Sequence, residues 1–205
     1  MLAGANAKSR VESVADAVRK RICLAEPGQD LVLHEGALAG EFHMSRTPIR
    51  QVLQRLAYER LVETRSGIGT IAVALDESHR DRYLRAHHGI LRAVIASQET
   101  VLDMRQKSQI LALAGLLDQQ PARDAEFHFE IRGQLIAILA DAIEDPILRD
   151  AHLASHWRVV RCDLRDYMRD PDSAGRRLKA LIDAVARSVG GGLLFQTLLE
   201  HDLQA

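Results

Sequence analysis

Residues 45–50 read Ser-Arg-Thr-Pro-Ile-Arg, which carries the signals of a helix start. Ser45 is a residue type favoured at the N-cap, and Pro48 falls in the first turn, where a missing amide hydrogen costs little. Apolar residues then recur at helical spacing, at Ile49, Val52, Leu53 and Leu56. We therefore predict a helix over residues 46–59 with polar and basic side chains on its outer side.

The segments on either side of this helix complete a small domain. A Ser-x-x-Glu capping box at Ser9 predicts that a first helix starts there and ends near Pro27. A short helix is predicted over residues 35–42, and two strands, 61–65 and 70–74, are joined by a loop with two glycines. Helix, short helix, turn, helix and hairpin is the order of a winged helix-turn-helix. We assign this domain to residues 1–75, followed by a linker over residues 76–79.

The rest of the chain, residues 80–205, has helical periodicity and no further strand signal. Prolines at positions 121, 146 and 171 fit helix starts. Six helices are predicted, over residues 79–99, 104–118, 122–142, 145–169, 173–189 and 190–203. The predicted fold is mainly α: an N-terminal winged helix-turn-helix plus a C-terminal all-α six-helix bundle.

Composition narrows the class of protein. Hydrophobic residues make up 47% and charged residues 27% of the 205 positions, so the chain can bury real cores. The formal net charge is −1, so any binding to nucleic acid must come from a local basic surface. Two distant cysteines and no apolar run of about 18–20 residues predict a cytoplasmic protein without disulfides or a membrane span.

The helix-turn-helix residues resemble a known family. They closely resemble the DNA-binding domain of GntR-family regulators at Pro27-Gly28, Leu38-Ala39, residues 45–50, Leu53, Arg55-Leu56, Leu61-Val62 and Gly67-x-Gly69-Thr70. The helical part is similar to the ligand-binding domain of the FadR C-terminal (FCD) type, in its six-helix, VanR-like branch. The resemblance covers nearly the whole chain.

Three positions depart from the pattern of the DNA-binding domain. His43 stands where the tight turn usually has glycine, and Arg60 replaces the usual glycine at the helix end. Ile68 occupies the tip of the wing, where a basic residue is common, which argues against insertion of a charged wing residue into the minor groove.

The resemblance implies which residues bind DNA. A recognition helix fits the major groove, where the arginine fork can bond guanine in a bidentate manner. Arg46 and Arg50, four residues apart, share a helix face; Arg46 is predicted to read bases, and Arg50 to read bases or clamp phosphate. Phosphate and backbone contacts are predicted from the remaining residues, Ser45, Thr47, Arg55, Arg65, Gly67 and Thr70.

The resemblance also implies a ligand site in the helical part. Asp124 and His128 match the family's Asp-x-x-x-His metal pair, and His201 matches another family ligand. Leu178 stands where the family normally has one more histidine. Two alternatives remain open: a divalent metal (Zn, Ni or Mn) on three ligands with open positions for an effector carboxylate, or a polar pocket in which a basic side chain binds an anion directly.

Other polar residues of the helical part are weaker candidates. Arg85 matches an arginine of the family's first helix and is a possible effector contact. His152 and His156 form an i,i+4 pair for which packing or surface exposure is favoured over metal ligation. The adjacent His87 and His88 point in different directions on a helix.

Together these observations predict a DNA-binding transcription regulator that is not an enzyme. It would bind a short palindromic operator as a homodimer. The resemblance implies a repressor that is released from DNA by a small organic acid, although the residues themselves do not distinguish repression from activation. The sequence has no H-E-x-x-H, G-x-S-x-G or phosphate-loop motif. The alternatives are an enzyme using Asp124, His128 and His201 around a metal, and an interaction module that has lost DNA binding.

Overall fold

The computed structural model describes residues 2–26, 28, 31–119 and 124–204, with side chains for those of them that lie between residues 10 and 201. The chain divides into two compact units, Met1–Leu75 and Asp76–Ala205. The fold class predicted from the sequence is confirmed: a small domain with a three-stranded sheet precedes an all-helical domain.

The N-terminal unit contains three helices and a small antiparallel sheet. Its elements are α1 (Leu2–Leu24), β1 (Val32–Leu33), α2 (Glu35–Glu41), α3 (Arg46–Tyr58), β2 (Val62–Arg65) and β3 (Gly69–Ala72). The strand order is β1-β3-β2, with Arg65 paired to Gly69 at the hairpin end and Val32 paired to Ile71 on the other edge. The core consists of the apolar stripes of α1 and α3, Val14, Ala15, Val18, Ile22, Ile49, Val52, Leu53 and Leu56.

A buried ion pair fixes α3 against α1. The Arg19 guanidinium donates from Nε to Glu59 Oε2 and from Nη2 to Glu59 Oε1, both at 2.8 Å. Arg19 is 3% and Glu59 is 4% exposed. Because two parallel hydrogen bonds satisfy both charged groups, their removal from water is compensated, whereas loss of one partner would leave a buried charge.

Two tight turns of the same type lie before and after α3. After α3 the Leu61 amide donates to the Leu56 carbonyl and the Arg60 amide to the Ala57 carbonyl, which is a Schellman cap. After α2, Met44 and His43 donate to Ala39 and Gly40 in the same way. His43 (φ 51°) and Arg60 (φ 59°) are the two residues other than glycine with positive φ among the described residues. Both stand at the positions where the sequence departs from the family's glycines.

In its described residues, 76–119 and 124–204, the C-terminal unit begins with a 3-10 turn and continues as six helices. The turn is Glu77–His79, capped by the Asp76 carboxylate, within the predicted linker. The helices are α4 (Arg80–Ser97), α5 (Met104–Gln119), α6 (Ala125–Asp141), α7 (Pro146–Arg169), α8 (Pro171–Ser188) and α9 (Leu194–Gln204). They enclose one large apolar core that includes Leu91, Ile110, Leu135, Ile182, Phe195 and Leu198.

Aspartate caps explain where three of these helices begin. Asp145 accepts hydrogen bonds from two amides of the first turn of α7, and Asp170 accepts one from the first turn of α8; each precedes a proline at the first helical position. Asp124 caps α6 by accepting from the Phe127 amide at 2.7 Å. Helix α8 therefore begins at Pro171, two residues before the start of the predicted range 173–189.

Two sequence predictions about the elements were wrong, and one strand was missed. The first helix begins at Leu2, so Ser9 lies inside it and does not cap it. Strand β1 was not predicted, because two residues give no periodicity to detect. The last helix begins at Leu194, after the glycine turn, and not at residue 190. The predicted turn at Pro27 and helix start near Pro121 lie outside the described residues.

The helices of the described part of the chain fall short of what a membrane span requires. None of them combines the length and the apolar character that crossing a bilayer requires.

The left-handed residue after α3 predicts a stabilising substitution. Arg60→Gly should stabilise the N-terminal unit by about 1 kcal/mol, because glycine adopts positive φ without the steric cost of a Cβ. Amide hydrogen exchange of α3 and β2 in the full chain measures the change. Arg60→Ala removes the same side chain but keeps the Cβ, so it should give no such gain; equal protection in both variants would contradict the strain argument.

Candidate DNA-binding surface and ligand cavity

The start of α3 presents an exposed polar surface. Ser45 is the N-cap, and its hydroxyl caps no amide of the helix. Ser45, Arg46, Thr47 and Arg50 are all exposed. Amides at a helix start carry partial positive charge, so together with two arginines they make a surface suited to phosphate or base edges.

Arg50 is held by an acidic residue that sequence reasoning overlooked. Its Nε and Nη2 donate to the two carboxylate oxygens of Glu35, at 3.0 and 2.9 Å. The hydrogen bond from Arg50 holds the pKa of Glu35 below its usual value. The pair orients the Arg50 guanidinium beside Arg46, so Arg50 would have to exchange Glu35 for DNA to make the predicted contact.

Arg55 lies on the other side of the recognition helix. Nine residues separate it from Arg46, which at about 100° per residue turns it through roughly half a circle. It donates to Glu12 at 2.6 Å and to Glu59 at 3.3 Å, joining the buried pair of α1 and α3. This geometry favours a structural role for Arg55, and its assignment to the DNA backbone stays a prediction.

The wing is a short hairpin with an apolar tip. Gly67 and Gly69 have φ values of 78° and 112°, which favours glycine at both positions. Between them Ile68 is 52% exposed. Arg65 is exposed and pairs with Glu63 at 2.8 Å, and Thr70 is half-buried opposite Thr64.

The turn before α3 is fixed by a side chain from α1. Arg10 donates from Nη2 to the carbonyl oxygens of Phe42 and His43, both at 3.2 Å. Sequence reasoning missed this contact because it joins residues more than 30 positions apart. It positions the N-terminus of α3, and therefore Ser45 and Arg46.

A cavity of about 40 Å³ lies within the C-terminal unit. Five charged or titratable residues and three apolar residues from α6 to α9 form its lining, namely His128, Arg132, Asp163, Ala174, Arg177, Leu178, Leu181 and His201. Two wider grooves, of about 380 and 410 Å³, have no buried charged side chain in their linings. The small cavity therefore stands out by its buried charge.

Two of the three predicted metal ligands line this cavity. His128 is buried with no hydrogen-bond partner at either ring nitrogen, and His201 lies half-buried in the same lining. Burial, with the charges of Arg132 and Arg177, lowers the pKa of His128 to about 3. Leu178 lines the cavity too, so the position where the family has a histidine faces the site with an apolar side chain.

Asp124, the third predicted ligand, is not gathered with these histidines. It is exposed and its carboxylate caps α6. The described residues contain one group of three potential ligands whose donor atoms lie within 4.8 Å of one another, and it does not include Asp124, His128 or His201. As placed, these three do not fit a common metal ion, and a metal on them stays a prediction.

Arginines give the cavity its anion-binding character. Arg132, which sequence reasoning missed, is 3% exposed and pairs with Asp163 at 2.8 Å, while its Nε has no partner. It follows His128 by four residues, so helical spacing could have found it. Arg177 donates to Ser173 at 3.0 Å and to Asp166 at 3.2 Å.

The structure places Arg85 on the surface and the pair of His152 and His156 in the interior. Arg85 is exposed and does not line the cavity, because the neighbouring His87, His88 and Leu91 take the buried face of α4. The structure therefore gives no support to Arg85 as an effector contact. His152 and His156 are buried and contact His87, whose ring centroid lies 4.8 Å from that of His156. Of the two predicted roles for this pair, packing agrees with the structure and surface exposure does not.

The N-terminal geometry is that of a winged helix-turn-helix DNA-binding domain. Residues 10–71 match the model of the family described as bacterial regulatory proteins, gntR family. The match covers most of the N-terminal unit and no part of the helical unit, so the likeness to this family is shown for the winged domain. Over 98 residues the chain is 31% identical to the mannosyl-D-glycerate transport/metabolism system repressor MngR of Escherichia coli (strain K12). That match covers 41% of this chain and 40% of the repressor, so it spans less than half of either protein.

Solved structures resemble the whole chain in fold. Escherichia coli McbR/YncC is similar with a TM-score of 0.68 at 17% identity, covering 95% of this chain and 94% of that one. The crystal structure of a Rhodococcus sp. RHA1 protein named GntR gives a TM-score of 0.54 at 20% identity, with coverage of 96% and 97%. These two likenesses concern the fold of the chain.

Burial of His128 predicts a loss of stability in mild acid. In the unfolded chain this imidazole takes up a proton near pH 6.5, whereas its pKa in the folded unit is about 3. Below pH 6.5 the unfolded state binds the extra proton, so the free energy of unfolding falls, by up to about 1.4 kcal/mol per pH unit from this group. Urea unfolding followed by fluorescence of the buried Trp157 measures it. His128→Gln should flatten the pH dependence by about one proton; an identical slope in both proteins would contradict the argument.

Proposed function

We propose that this chain is a transcription regulator that binds operator DNA as a homodimer and responds to a small organic acid in its helical unit. The observation that carries the DNA-binding part is the exposed start of α3, with Ser45, Arg46, Thr47 and Arg50 on one surface. Its target is chromosomal DNA, so it would act in the cytoplasm. Repression is proposed because the curated relative is a repressor.

The DNA contacts follow from what α3 exposes. Among the described residues, Arg46 forms no ion pair that must break before it can read a base, whereas Arg50 is held by Glu35 at 2.9 Å. Arg46 is therefore the residue proposed to bond guanine, with Arg50 next to it on phosphate or base. Ser45, Thr47 and the first amides of α3 would bind phosphate, and Arg65, Gly67 and Thr70 would follow the backbone at the wing.

A homodimer is proposed because one winged domain contacts too few base pairs to be selective. Helix-turn-helix proteins place two recognition helices in successive major grooves, about 34–36 Å apart, on a palindromic site. The helical unit, which is of the FCD type in this proposal, would supply most of the dimer contact. Analytical ultracentrifugation at micromolar concentration measures the state directly.

The cavity of the helical unit is proposed as the effector site. Arg132 has an Nε without a partner, and Arg177 shares the Asp166 carboxylate with Arg80, so two guanidinium groups divide one negative charge. An incoming carboxylate would supply the missing acceptor. At about 40 Å³ the cavity has room for about three water molecules, or for the carboxylate end of a small acid.

Direct binding of an anion is preferred here to binding through a metal. Leu178 removes one expected ligand, and Asp124 caps a helix outside the cavity lining. In this reading His128 and His201 stay neutral and offer hydrogen bonds to the acid. An effector that binds one dimer geometry better than another shifts the spacing of the recognition helices, which couples the two sites.

The DNA-binding proposal predicts the effect of one substitution. Arg46→Ala should weaken binding to an operator selected from random duplexes by about 1–3 kcal/mol for each lost bidentate contact, and should relax preference at one position of each half-site. Fluorescence polarisation and repeated selection measure both effects. Arg105→Ala, on an exposed surface of α5, removes the same charge and should change neither. Unchanged affinity and preference in Arg46→Ala would exclude the assigned role.

The effector proposal predicts a difference between two neighbouring arginines. Release of the operator by a panel of small carboxylic acids should be lost or weakened at least tenfold in Arg177→Gln, which removes a cavity charge. Arg176→Gln changes an exposed neighbour outside this cavity and should respond like the wild type. Gel shifts with and without acid provide the measurement. If no acid of the panel acts on the wild type, or both variants respond equally, this cavity is not the effector site.

A further inference from the structure

Three histidine side chains meet inside the C-terminal unit, away from the cavity lining. His87 comes from α4, and His152 and His156 come from successive turns of α7. Their exposed fractions are 0%, 0% and 1%. One donor nitrogen from each lies within 4.8 Å of the other two.

The separation of two of these nitrogens equals that of ligands on one ion. His156 Nδ1 and His152 Nε2 are 3.3 Å apart. Two nitrogens bound tetrahedrally at about 2.0–2.1 Å stand about 3.3 Å from each other. The His87 nitrogen lies no more than 4.8 Å away, so a ring movement of at most about 1.5 Å would complete this spacing.

A serine sets the tautomer of the third ring. The Ser155 hydroxyl donates to the carbonyl oxygen of His152 at 3.0 Å, so its oxygen is left to accept from His87 Nδ1 at 2.9 Å. A proton on Nδ1 makes Nε2 the nitrogen of His87 that carries the lone pair. Hydrogen bonds of this kind to the second ring nitrogen orient histidine ligands in metal proteins.

Packing alone explains the cluster less well. A ring–ring hydrogen bond across the 3.3 Å separation would satisfy one nitrogen of His152, but its Nδ1 is buried and has no partner. A buried polar atom without a partner is costly. Each imidazole brings two ring nitrogens into this apolar interior, and each nitrogen needs a partner. Nearby, the charge of Arg132 is matched by Asp163 at 2.8 Å, so it does not add an unbalanced cation.

We propose that His87, His152 and His156 bind one transition-metal ion that favours imidazole, with Zn²⁺ as the representative. Three nitrogen ligands leave a coordination position open. Since no carboxylate or thiol of the described residues joins the group, hard cations such as Mg²⁺, which need oxygen ligands, should not bind. The ion would join α4 to α7 across the unit. This site does not depend on the effector proposal.

The test measures metal bound to the full chain after chelator treatment. Equilibrium dialysis against Zn²⁺, with elemental analysis, should find about one ion per chain, and the same treatment with Mg²⁺ should find none. Co²⁺ should give the intense visible absorption of a four-coordinate site. A wild-type chain that retains no Zn²⁺, or that binds Mg²⁺ equally well, would overturn the proposal.

Substitutions locate the ion. His87→Gln and His156→Gln should each weaken Zn²⁺ binding by a hundredfold or more, while the matched control His88→Gln, at the adjacent buried histidine, should bind as the wild type does. His128→Gln should also bind normally; loss of zinc there would place the ion in the cavity and overturn the assignment. Retained binding in both His87→Gln and His156→Gln would do the same.

Ser155→Ala provides a milder variant should a ligand variant fail to fold. It removes the hydrogen bond that orients His87 and should weaken Zn²⁺ binding by about tenfold to a hundredfold, with an unchanged helical circular dichroism spectrum. Zinc affinity equal to that of the wild type in this folded variant would contradict the arrangement.

Discussion

The bidentate pair of Arg19 and Glu59 is the interaction on which the DNA-binding unit depends. Both groups are almost fully removed from water, yet each satisfies the other at 2.8 Å, and Arg55 adds a second donor to Glu59. Because Glu59 follows α3 directly, the pair determines how this helix lies on α1. The exposed surface at the other end of α3 is therefore positioned by a contact that never meets DNA. Loss of either partner would be felt as a shift of the recognition surface as much as a loss of stability.

The helical unit meets a different constraint, which is the cost of polar groups inside an apolar bundle. Arg132 is neutralised by Asp163, and the Asp166 carboxylate accepts from both Arg80 and Arg177. Burial instead lowers the pKa of the buried imidazoles; for His152 the pKa falls to about 4. Because Asp166 is shared, the arginines have few acceptors, whereas each neutral imidazole presents one nitrogen lone pair. An anionic ligand would complement the arginines of this interior, and a metal ion that binds nitrogen would complement its histidines.

Local signals in the sequence predicted most of the fold. Pro146 and Pro171 marked boundaries at the starts of α7 and α8, although the predicted range of α8 began two residues late. The resemblance to the family identified His43 and Arg60 as substitutes for glycine, where the structure has positive φ. Features that depend on distant packing could not be predicted. The i,i+4 pair of His152 and His156 was visible, but the meeting with His87 requires α4 to lie on α7. For the same reason the sequence showed Arg46 and Arg50 on α3 and not the carboxylate of Glu35 that holds Arg50.

The apolar tip of the wing has a consequence for how binding would vary with ionic strength. Each phosphate neutralised by a protein cation releases counterions, so every such contact steepens the fall of affinity with salt. Ile68, exposed between two glycines, contributes no charge where a lysine or arginine would contribute one per half-site. Its side chain can instead touch sugar carbons of the DNA backbone. Such a wing would make the complex comparatively tolerant of concentrated electrolyte, and would leave recognition of sequence almost wholly to α3.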